Sequence, residues 1–166
     1  MAEYTTQERL QPALLDRLTD DEPDAQQESR ERRVLSLGRF REAVLRDLGW
    51  LLNTTRMGVS EDLSDYPLVD RSTLNFGIPE LTGTIVAGLD AAELEGLIRE
   101  CIWNYEPRLR RDSVQVQVRH NAGKTSRRTV EFRIEAELIA QPLPLQLYLK
   151  TEIDLESGNA VVRDAR

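Results

Sequence analysis

Asn104-Tyr105-Glu106-Pro107-Arg108-Leu109 places a carboxylate and a guanidinium on either side of a proline, two residues apart. Proline cannot continue a helix and disfavours helical angles in the residue before it. The segment therefore reads as a stiffened corner that gives the Glu106 carboxylate a fixed direction. Arg108 carries a planar five-donor fork suited to a carboxylate on another element or another chain. The plainer reading is a helix stop with both charges in water, where ion pairs are individually weak.

Other groups able to do chemistry are few. Glu106 as an acid, with Asp62 or Asp65 as the second carboxylate, would suit glycoside cleavage, but a chain with 29 acidic residues always offers such pairs. The one histidine, His120, falls in the expected hairpin turn His120-Asn121-Ala122-Gly123-Lys124, and the one cysteine, Cys101, falls on an apolar helix face. Cys101 thus reads as a small buried hydrophobe. One His and one Cys leave too few ligands of these types for a zinc site, so no metal or cofactor is expected. No glycine-rich phosphate loop follows a strand.

The elements that must position the corner follow from composition and periodicity. The 166 residues fit one domain plus an arm, with 40% hydrophobic and 31% charged residues. No apolar run is long enough to cross a bilayer, so membrane insertion is not expected. Met1-Ala2-Glu3-Tyr4 lacks a signal-like start, and a single cysteine suits a reducing, cytoplasmic compartment. Residues 1–29 hold eight acidic side chains against Arg9 and Arg17, so most of the net charge of −7 sits there. The remainder is almost balanced, with no basic field for a nucleic acid. Twenty of the 22 basic residues are arginine, which favours bidentate pairing, although a GC-rich genome gives the same bias.

Residues 1–33 read as an acidic arm with a short amphipathic helix, Gln11 to Leu18, followed by the charged stretch from Thr19 to Asp24. Leu14, Leu15 and Leu18 need a surface on this domain or on a partner, because so short a helix is marginal alone. Residues 34–166 form the main domain. Leu37, Phe40, Val44, Leu48 and Leu51 mark a first long helix ending at Asn53-Thr54-Thr55, with Gly49 inside it as a point where another backbone could approach. Residues 56–89 read as a long connection that packs across the domain through Leu68, Leu74, Phe76, Ile78 and Leu81, with a helical turn or bridge near Ser72 to Leu74. Asp90 and Glu93 form a capping box for a second helix carrying Leu94, Ile98, Cys101 and Ile102. Period-two alternation then gives strands around Val114–Val118, Val130–Leu138, Leu145–Ile153 and Ala160–Arg163. The expected class is α+β: two main helices packed on an antiparallel sheet of three or four strands.

Three segments together resemble a known family. Leu14-Leu15-Asp16-Arg17-Leu18-Thr19-Asp20-Asp21, Arg46-Asp47-Leu48-Gly49-Trp50-Leu51-Leu52-Asn53-Thr54 and the Glu106-Pro107-Arg108 corner are similar to the motifs of the TssE family. These are type VI secretion baseplate subunits related to the wedge protein next to the sheath in contractile phage tails. Ser72-Thr73-Leu74-Asn75-Phe76-Gly77 also resembles the family's Ser…Asn-(Tyr/Phe)-Gly segment. The resemblance implies a structural, non-enzymatic baseplate component, despite the "lysozyme-like" label often given to the family. It implies partners of TssF and TssG type, with TssK-type subunits and the spike hub as further neighbours and TssB/TssC-type sheath proteins meeting a sheet edge. It also implies assembly on a cytoplasmic baseplate docked at the inner membrane. Glu106, Pro107 and Arg108 would grip the wedge's helical core bundle, and Leu14, Leu15 and Leu18 would add an arm contact.

Overall fold

The computed structural model describes residues 13–19, 36–81, 91–119, 129–140, 145–154 and 157–165. Helix α1 is a five-residue piece, Leu14–Leu18. Helix α2 spans Leu37–Leu52 and starts where the Ser36 hydroxyl accepts the Arg39 backbone N–H, the usual cap for a helix N-terminus. Its inner stripe buries Phe40, Val44, Leu48, Leu51 and Leu52. Leu37, expected in that stripe, lies in the first turn and is exposed. Gly49 meets nothing within 4 Å of a built Cβ, so no backbone approaches there, contrary to expectation.

Over residues 56–81 the connection is a chain of short turns and not an open loop. It holds helical turns at Met57–Val59 and Thr73–Asn75 and a four-residue helix α3 at Pro67–Asp70. Ile78 and Leu81 enter the core, whereas Leu68 and Leu74 point to solvent. Helix α4, Ala91–Tyr105, buries Leu94, Ile98, Cys101 and Ile102. Its expected Asp90 cap lies outside the described residues, as do the His120 turn and the stretch joining the arm to α2.

Strands β1 Gln115–Arg119, β2 Thr129–Leu138, β3 Leu145–Asp154 and β4 Ala160–Asp164 form one antiparallel sheet in the order β1-β2-β3-β4. Val116, Ile134 and Leu149 sit opposite one another across three strands, so a single apolar face is fixed by register. Helix α2 packs over β4 and α4 over β1, and the two helices meet. The architecture is α+β with a four-stranded sheet, as the periodicity indicates. On the wet face Lys150 reaches both Glu131 and Glu152, offsetting the direct Glu131–Glu152 opposition.

The helix end and the sheet are tied together by one side chain. The Asn53 amide accepts the Ala160 N–H at 2.9 Å and donates to the Ala160 carbonyl at 2.8 Å, pairing with β4 as a strand would. Arg41 of α2 is buried and pairs with Asp164 at 2.5 Å.

Candidate functional site

The corner is built on the last residues of α4. The Glu106 N–H still bonds to the Ile102 carbonyl at 2.9 Å, so the helix delivers Glu106 before Pro107 turns the chain away. Tyr105, one residue earlier, anchors this end. Its hydroxyl donates to the Asn75 carbonyl at 2.7 Å, and its ring meets Phe76 edge-on at 5.3 Å. Burial raises the Tyr105 pKa, so the phenol stays a donor across the ordinary pH range.

The motif around Asn75 explains why the connection holds still. Asn75 is buried, its amide oxygen takes the Gly58 N–H at 2.8 Å, and its amide nitrogen donates to the Asp70 backbone and side chain. Gly77 sits at φ +133 with Thr54 O only 2.4 Å from where a Cβ would lie. Only glycine tolerates that position. Ile78 then bridges to Thr55.

Glu106 does not point into solvent. Only 3% exposed, its carboxylate accepts Arg108 Nε at 2.7 Å, Arg108 Nη2 at 2.5 Å and the Arg108 backbone N–H at 3.1 Å. Arg108 Nη2 also reaches Asp47 of α2 at 2.6 Å. The expected outward aim of both charges therefore gives way to a pair closed within the chain, because the two-residue spacing lets the arginine fold back over the proline. Among the described residues Nη1 has no hydrogen-bond partner and is the one terminal nitrogen of the fork left open. Burial alone would lower the Arg108 pKa, but Glu106 and then Asp47 more than offset it and hold it above the ordinary arginine value. Both Glu106 oxygens are occupied by donors, an arrangement with no oxygen turned outward to protonate a leaving group.

The charge pattern continues to the arm. Asp47 also accepts Arg46 Nε at 2.9 Å, and Arg46 Nη1 pairs with Asp16 of α1 at 2.5 Å. Arg46 lies 4.9 Å above the Trp50 ring, and Asp16 in particular raises its pKa. Asp16–Arg46–Asp47–Arg108–Glu106 is thus one continuous chain of three carboxylates and two guanidiniums. Glu106 and Arg108 at one end were expected from the sequence, whereas Asp16, Arg46 and Asp47 were present only as members of the arm and Arg46-Asp47 motifs and not as site residues.

Between arm and corner lies an open groove of about 370 Å³, mainly apolar, walled by Leu15, Leu48, Trp50, Leu51, Phe76 and Pro107. Leu14 and Leu18 are 72% exposed and Leu15 is 47% exposed, so the domain leaves the arm's apolar face uncovered. The structure thus brings Leu15, Glu106, Pro107 and Arg108 together at one groove, with Leu14 and Leu18 on the same short helix. Cys101 is buried, and its thiol is pushed up to about 11 by desolvation. Among the described residues no group of three or more His, Cys, Asp or Glu could hold a metal ion, and no helix is long and apolar enough to cross a membrane.

The fold and the groove define an α+β scaffold that presents a clamped corner facing an uncovered apolar helix. Residues 39–143 match the family model described as baseplate wedge protein gp25, a span that takes in nearly all of α2, helix α4, the corner and strands β1 and β2. The chain belongs to this baseplate wedge family, in agreement with the resemblance to TssE, its type VI counterpart. Neither the curated proteins nor the solved structures gave a match. Membership makes it a structural component of a contractile-tail-like baseplate that contacts other baseplate components.

Proposed function

We propose that the chain is the wedge subunit of a type VI secretion baseplate, acting by assembly and not by catalysis, in the cytoplasm at an inner-membrane-docked machine. It binds wedge subunits of TssF and TssG type through the groove bounded by Leu15 and Pro107, with Arg108 Nη1 at its rim and Leu14 and Leu18 completing the contact. TssK-type subunits and the spike hub are its further neighbours, and a sheet edge helps to initiate assembly of TssB/TssC-type sheath by strand addition. One observation carries the reading: three leucines of a five-residue helix stay uncovered beside an apolar groove at the family's Glu-Pro-Arg corner. An exposed apolar face of this kind marks an interaction site.

The test is co-purification of the full chain with TssF- and TssG-type subunits. Leu14→Asp combined with Leu18→Asp is expected to abolish capture while leaving the melting temperature unchanged, since neither residue is buried. Undiminished capture by a folded double variant would overturn the docking assignment.

A further inference from the structure

The arm and the corner are not independent surfaces. Helix α1 buries no residue, and its described polar link to the body runs through Asp16 and Arg46. Arg46 is in turn oriented by Asp47, whose second oxygen is taken by Arg108. Arg46 Nη2 lies 2.8 Å from Asp47 Oδ1 yet is not aligned for a hydrogen bond, and Asp16 Oδ2 is buried without a partner. The chain carries one more negative charge than positive, and its unused acceptor is at the arm end.

We infer that arm and corner form a single two-jawed clamp, coupled through Arg46 and Asp47. The corner is the fixed jaw, because Glu106 is buried and its helix is anchored through Tyr105. The arm is the releasable jaw. If Arg108 is lost, Asp47 is freed to draw Arg46 toward itself and away from Asp16, and the arm lets go. The coupling between jaws is a property of the free protein and does not rest on the assembly reading.

The experiment uses nuclear magnetic resonance relaxation on the full chain without partner. In the wild type, amides of Leu15–Leu18 are expected near the rigid range, with order parameters of about 0.85. Asp16→Asn and Arg108→Gln should each drop these amides below about 0.6 while β2 and β3 resonances keep their positions. An arm as ordered in Arg108→Gln as in the wild type overturns the coupling, and so does an arm that Asp16→Asn fails to loosen. Should Arg108→Gln lose the fold, Asp47→Asn interrupts the same chain from its middle, with release supporting the clamp and retention refuting it. Loss of coupling with wedge capture intact would sink this inference alone; loss of capture dependence with coupling intact would sink the assembly reading alone.

Discussion

Arg108→Ala tests how the corner is held. Glu106 is 3% exposed and takes three hydrogen bonds from residue 108, of which two come from the guanidinium. Alanine leaves only the backbone N–H, so a buried carboxylate loses its counter-charge. Removing one member of such a pair costs about 3–5 kcal/mol. For a chain of this size each kcal/mol lowers the melting temperature by roughly 2–4 °C, so a fall of about 6–20 °C is expected by differential scanning calorimetry. The same reasoning requires a rescue. Replacing both members by apolar residues, Glu106→Leu with Arg108→Met, removes the stranded charge and should restore most of the lost stability. It should not restore capture of wedge subunits, because the open Nη1 and the link to Asp47 are gone. A shift of less than about 2 °C for Arg108→Ala would show that the pair is solvent-screened and would refute the strut; restored capture by the apolar pair would refute a role for the charge.

Asn75→Ala should destabilise the domain by about 1–3 kcal/mol in urea unfolding, since the half-buried Gly58 N–H loses its acceptor and the buried side chain its hydrogen bonds to Asp70. Gly49→Ala should stabilise by about 0.5–1 kcal/mol, because the added methyl meets open space in a helix interior. Cys101 should react with a disulfide reagent at pH 8 at least about a hundredfold more slowly in the native than in the unfolded chain, because its thiol is buried and raised to about 11. Purified protein incubated with peptidoglycan should show no turnover above that of Glu106→Gln; turnover abolished by that substitution would contradict the structural role.

The core was legible because its signals are local. The α2 and α4 stripes and the period-two strands each needed only a short window, and four strands with two helices allow few arrangements. The corner's residues were equally plain, since Pro107 marks the turn. Their orientation was not, because whether Arg108 faces a partner or folds back on Glu106 depends on Asp47, 61 residues away. Distance in sequence also hid Asn53 on β4 and Arg41 on Asp164. In the long connection the breakers were visible, but the roles of Asn75 and Gly77 emerge only when residues 54–58 lie against them. The arm showed the opposite pattern: its leucines were marked as needing a surface, and the domain leaves Leu14 and Leu18 largely exposed.

The most direct test places a photo-crosslinking residue at Leu15, inside the groove, in cells assembling the machine, with Leu68, 86% exposed and outside the groove lining, as the control position. Crosslinks from position 15 to a wedge subunit of TssF or TssG type, absent from position 68, are the expected result. Equal crosslinking from both positions, or none from position 15 in an assembled baseplate, would contradict the account.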